Sequence, residues 1–131
     1  MKRKHNTKNA ESIFKYAQKP SVTLYVCSYT FAIAYHYMQK EENIPHRIAI
    51  SLLEKLFPKV KCIPVDNVII QQAMKSGFED YEDAIQYYSA LKIPGCDVII
   101  TRNAKDFTLS NIPVMTPKIF LRHQKIYKKS S

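Results

Sequence analysis

The segment from Asp80 to Phe107, DYEDAIQYYSALKIPGCDVIITRNAKDF, constrains the fold more than any other part of the chain. An acidic turn leads into a stretch with one apolar helical face, which stops at Pro94-Gly95. Val98-Ile99-Ile100 then reads as a short buried strand, because a brief apolar run closed by polar turn residues suits a strand covered on both faces. The polar turn Thr101-Arg102-Asn103 follows and runs into Asp106-Phe107. In an open parallel sheet, helices begin where strands finish. The carboxylates at the helix start and the polar cluster after the strand are therefore expected on one edge.

The rest of the chain repeats this alternation. Asn9 caps a helix expected to reach about Gln18, and Pro20 stops it. Thr23 to Cys27 reads as a strand. A helix follows from Ser28 or Thr30 to about Lys40, with Phe31, Ala34, Tyr35 and Met38 on one face. Pro45 opens a third helix carrying Ile48, Leu52, Leu53 and Leu56, which ends before Pro58. Lys61 to Val65 is the next strand. Asp66 caps a helix with Val68, Ile69 and Ala73, which Gly77 is expected to close in a left-handed conformation. After the 80–91 helix and the 97–101 strand come a last strand at 113–116 and a helix opened by Thr116-Pro117. Strands separated mostly by helices predict an α/β fold: a three-layer α/β/α sandwich with a mainly parallel sheet.

With 131 residues, 46% of them apolar, the chain is expected to form a single domain, residues 1–131, with flexible basic ends at 1–8 and 126–131. No apolar run approaches the length of a membrane span, and the expectation is a cytoplasmic protein with no membrane partner. Cys27, Cys62 and Cys96 are odd in number and lie in or beside apolar runs, so they read as buried thiols. The net charge of +9 comes from 20 Lys+Arg against 11 Asp+Glu, with Lys2-Arg3-Lys4 at one end and Arg122 to Lys129 at the other. Such a surface attracts nucleic acid or an acidic protein, and it also serves solubility alone. The two glycines form no phosphate loop, and the four histidines show no metal-ligand spacing.

Two groups could carry chemistry. Asp80 and Asp83 lie three apart, on one helix face, with Glu79 and Glu82 beside them. Carboxylates so grouped can hold Mg²⁺ or Mn²⁺, hard cations that prefer oxygen ligands. Acidic residues in a first helical turn are also favoured by the macrodipole alone. Asn103 and Asp106 flank the next turn, where both residue types are common turn-formers. Arg102 and Lys105 stand next to them and suit a phosphate backbone.

Phe78 to Ala84, Tyr87 to Leu91, Ile99 to Asn103, Asp106-Phe107, and Ile112 to Pro117 with Phe120-Leu121 together resemble the C-terminal half of PIN domains, most closely those paired with bacterial antitoxins. The likeness is specific from Phe78 to Leu121 and weaker from Asn9 to Val65. It implies a small α/β/α fold, a metal-dependent endoribonuclease cutting single-stranded RNA, and Mg²⁺ or Mn²⁺ as cofactor. The partners it implies are RNA, an antitoxin protein and a second copy of the chain. By the resemblance Asp83 and Asp106 are metal ligands, Asp83, Asp106, Asn103 and Asp80 form the catalytic set, and Arg102 with Lys105 contact RNA. The chain departs from the family twice. It lacks the usual first strand ending in Asp, so it reads as N-terminally truncated, and the absence of a central strand should leave two unpaired sheet edges. Ile33 stands where a carboxylate is usual. The expectation is therefore weak or no cleavage, or a non-catalytic protein that binds RNA or an antitoxin.

Overall fold

Every described strand runs parallel to the one it pairs with. The computed structural model describes residues 12–130 apart from 14, with side chains through 123. The expected cap at Asn9 and the basic residues 1–8 lie outside the described residues. Ser12, Ile13, Lys15 and Tyr16 are helical, Ile13 is buried, and the Tyr16 ring meets Phe120 edge-on at 5.4 Å.

Strand β1 (Tyr25–Cys27) leads into helix α1 (Thr30–Lys40) and helix α2 (His46–Leu56), then a 3₁₀ turn, Phe57–Lys59. Strand β2 (Lys61–Ile63) returns beside β1, parallel to it, with Val26 opposite Cys62. Two helices follow, α3 (Asn67–Met74) and α4 (Tyr81–Ala90). Then come β3 (Ile99–Ile100), a 3₁₀ turn at Ala104–Asp106, β4 (Val114–Met115) and α5 (Pro117–Ser130). β4 is parallel to β3, with Ile99 opposite Val114. The backbone of α5 includes residues 126–130, which were expected to form a flexible end.

The α/β class and the parallel pairing are as expected. A single sheet is not seen among the described residues, where the strands form two pairs, β1 with β2 and β3 with β4. Each strand is also shorter than its apolar run. In a parallel ladder a residue's N–H and C=O point to the same side, and the side alternates along the strand. Lys61 donates to Leu24 and Ser28 donates to Ile63, so Tyr25 and Cys27 direct their backbone groups away from β2. Ile99 donates to Pro113 and Thr101 to Met115, so Ile100 directs its groups away from β4. Among the described residues no strand pairs on those sides.

Local chemistry explains most helix starts. Asp66 Oδ1 accepts from the Ile69 N–H at 2.9 Å, and Thr116 Oγ1 accepts from the Ile119 N–H at 3.2 Å. Each satisfies one of the orphan donors of a first turn. Ser28 caps nothing; its Oγ accepts from the Val65 N–H at 3.2 Å and ties β1 to the end of β2. Gly77 does not adopt the left-handed conformation expected of it. Among the described residues that conformation belongs to Gly95 (φ 67°) and Asn43 (φ 53°). A Cβ at Gly77 would lie 3.1 Å from Leu109 Cδ1, a close contact with the end of an exposed side chain that can give way.

Helix α4 is the packing centre. Asp83, Ala84, Ile85, Tyr87, Ser89 and Ala90 are all buried on it, which covers more than one face. Ala84 and Ile85 join Ile69 and Ala73 of α3, while Tyr87 and Ala90 join Ile99 and Phe107. Phe78 and Tyr88 touch both clusters and link them. By contrast α1 contributes no buried residue and α2 only Ala49. The face of α1 read as sheet-packing is half-buried, and the groove it shares with α2 is lined by Phe31, Ile50, Leu53, Glu54 and Phe57. Of the cysteines, Cys27 is buried, Cys62 and Cys96 are half-buried, and all three are free thiols.

Candidate functional site

Asp80 lies just before α4 in an extended conformation, and its Oδ1 accepts from the Asp83 N–H at 3.0 Å. That bond is a helix cap, so the first acid of the cluster has a structural role. The capped turn carries Asp83 inward. Its residue exposure is 5%, and its Oδ2 is buried without a hydrogen-bond partner. A buried carboxylate oxygen with no donor is costly when ionised. Burial first, then the charges of Asp80, Asp106 and Glu82, push the Asp83 carboxyl from 3.8 up to about 6.

Asp106 closes the 3₁₀ turn after β3. Its N–H donates to Asn103 O at 2.8 Å, and the Asn103 N–H donates to Thr101 Oγ1 at 3.2 Å. These bonds hold the turn, while the Asn103 and Asp106 side chains face solvent. The field of Asp106 reaches Asp83, which ties the two segments electrostatically. Arg102 and Lys105 are exposed beside them. Ile33 lies on α1 and is 44% exposed.

Sequence reading missed Tyr29. Its hydroxyl lies 3.5 Å from the Glu82 carbonyl oxygen, which accepts from it, and its ring packs on the α3–α4 cluster. Burial raises the phenol pKa most, followed by the charges of Cys27, Glu82, Asp83 and Asp80. The only hint in the sequence was its place between a strand and a helix start. Cys27 was read as a core thiol, and burial does push it up. Ser89 pulls the other way, although Ser89 Oγ makes no well-formed hydrogen bond.

The donor set can be tested against a divalent ion. Asp83 Oδ2 is free to accept, Asp80 Oδ1 is engaged as a cap, and Asp106 is exposed. Among the described residues no group of three or more His, Cys, Asp or Glu side chains is placed to hold a metal. Mg²⁺ demands near-octahedral oxygen coordination and gives up water reluctantly. The described residues do not fit such an ion as an assembled site. No described helix is long and apolar enough to cross a membrane.

A family model described as PIN domain matches residues 1–105. The match includes the amino-terminal half, where the likeness is weaker, and it stops one residue before Asp106. No curated protein and no solved structure matches.

Proposed function

Because this chain belongs to the PIN-domain family, whose members are generally divalent-metal-dependent nucleases acting on RNA, we propose that it is a toxin–antitoxin-type PIN protein that binds single-stranded RNA and cuts it weakly or not at all. One observation carries the reading. Asp83 is buried with an unpartnered oxygen and a raised pKa, and among the described residues the acids beside it, Asp80 and Asp106, are exposed and form no group placed to hold a metal. A hydrolytic site needs enough negative charge to hold the ion and leave a water oriented on it. Asp83 and Asp106 are the residues that would approach Mg²⁺ or Mn²⁺, with Asn103 and Asp80 beside them. Ile33 adds no charge.

RNA binding then rests on charge. The +9 balance attracts phosphate, and Arg102 and Lys105, exposed on the segment that carries Asp106, would meet it. The proposed setting is a single cytoplasmic domain whose further partners are an acidic antitoxin and a second copy of the chain. The same observation supports the neighbouring reading, a non-catalytic protein that holds RNA or an antitoxin.

The test is a paired assay on labelled single-stranded RNA with Mg²⁺ and with Mn²⁺, using the chain and its Asp83→Asn form. Both should retain RNA in gel shifts at low salt, with affinity falling steeply as salt rises through counterion release, and both should leave it almost uncut. Robust cleavage that disappears in Asp83→Asn would show that the metal site is complete, and would overturn the reading.

A further inference from the structure

We infer that the groove between α1 and α2 is a base-reading subsite that takes one unpaired guanine of an RNA strand. The inference rests on the proposed binding of single-stranded RNA and names the base that such a strand presents here. It does not depend on metal or cleavage.

The groove has a volume of about 400 Å³ and is walled by Phe31, Ile50, Leu53 and Phe57, with Glu54 the one carboxylate among its lining residues. Apolar walls with a single placed polar group both hold a small planar ring and orient it. Phe57 is 60% exposed, and its ring meets Phe31 edge-on at 5.8 Å, which steadies it. An exposed, steadied ring is a platform on which a base can stack.

The charges around the ring favour a nucleic-acid strand. Lys55, Lys59 and Lys61 are exposed within four residues of Phe57. Aromatic rings among cations suit a strand whose bases stack while its phosphates are neutralised. Lysine is depleted from the cores of protein–protein interfaces, so a protein partner fits this setting less well. The groove also stands close to the acidic cluster. Tyr29 reaches Glu82 there, and Phe31 is two residues further on, so their Cα atoms lie within about 8 Å. A strand drawn to Arg102 and Lys105 therefore has the groove within reach of a nearby nucleotide.

Glu54 sets the base. A carboxylate accepts hydrogen bonds and donates none. Guanine offers it two adjacent donors, N1–H and N2–H, on the edge by which unpaired bases are read. Adenine and cytosine set a donor beside an acceptor on that edge, and uracil sets one donor between two acceptors. Each of those acceptors would face the carboxylate and repel it.

The probes are four fluorescein-labelled pentanucleotides, UUGUU, UUCUU, UUAUU and UUUUU, measured by anisotropy at pH 7.5 and low salt with EDTA present. UUGUU should bind at least about fivefold tighter than the other three, the lower end for one bidentate base contact. Glu54→Gln should cut that preference to below about twofold without weakening UUUUU. Phe57→Ala should weaken UUGUU at least about fivefold, the loss of one stacked base. Phe57→Trp keeps a stacking ring and should bind UUGUU as tightly as the parent. The chain has no other tryptophan, so the indole emission of that form reports on the groove alone, and UUGUU should quench it. Equal affinity for all four probes, with Phe57→Ala unchanged, overturns this inference and leaves RNA binding standing. No binding of any probe at low salt overturns both. UUGUU that binds Phe57→Trp without quenching its emission places the base elsewhere and overturns the inference. So does an emission that shifts with protein concentration and ignores RNA, because a second copy of the chain then occupies the groove.

Discussion

Replacing Asp83 by Asn should stabilise this protein at neutral pH. The carboxyl is held from 3.8 up to about 6, by burial first and by Asp80, Asp106 and Glu82 next. Each pH unit of displacement is worth about 1.4 kcal/mol, so ionising Asp83 inside the fold costs at most about 3 kcal/mol. Relaxation and water at the mouth of the cluster reduce this, and a net penalty of about 1–3 kcal/mol is expected. The sign follows from proton binding. Below pH 3.8 the group is protonated in both states and costs nothing. Between 3.8 and about 6 the unfolded chain releases the proton while the folded chain keeps it, so this group's contribution to stability falls as pH rises. Above about 6 the penalty is complete. Asn has the same shape and no charge, so Asp83→Asn and the parent should be close in stability at pH 3.5. At pH 7.5 the variant should be ahead by about 1–3 kcal/mol. At about 4 °C per kcal/mol for a chain of this size, that is a gain of about 4–12 °C in Tm. Urea denaturation followed by circular dichroism from pH 3.5 to 8 measures it. A pH-independent difference, or a variant less stable at pH 7.5, would refute the reasoning. It would show that ionised Asp83 has a partner in solution.

Three further outcomes follow from single contacts. Asp80→Ala removes the cap on α4 and should cost about 1 kcal/mol; it also removes a charge from beside Asp83, whose pKa should fall below about 6 in an NMR titration. Ile99→Ala opens a hole between α4 and Phe107 and should cost about 2–5 kcal/mol in urea, since Ile99 is only 4% exposed. Gly95→Ala meets open space but forces a Cβ into a φ of 67°, so it should cost about 1–2 kcal/mol; Gly77→Ala, which only nudges the end of Leu109, should cost less in the same assay.

The element types were legible because they rest on short-range physics. The 3.6-residue period of α4, the caps at Asp66 and Thr116, and the stop at Pro94-Gly95 each depend on a few neighbouring residues. Parallel strands were expected from the alternation of strands and helices, but which strand pairs with which, β3 with β4 among them, was decided by the tertiary structure. In the acidic cluster, the sequence placed Asp80 and Asp83 on one helix turn but could not separate their roles. Only packing did so, leaving Asp80 exposed as a cap and burying Asp83 with an oxygen unsatisfied. Tyr29 entered the cluster the same way, since its approach to Glu82 spans residues distant in the chain. Gly77 illustrates the same limit, because the left-handed cap expected of it is not formed. The split into two strand pairs was likewise a tertiary decision. An apolar run specifies that a strand is buried, but which edge finds a partner depends on whether another strand reaches it. Beside β3 the neighbour at the Ile100 carbonyl is the Gln86 side chain, brought there by the fold of α4 from 14 residues earlier.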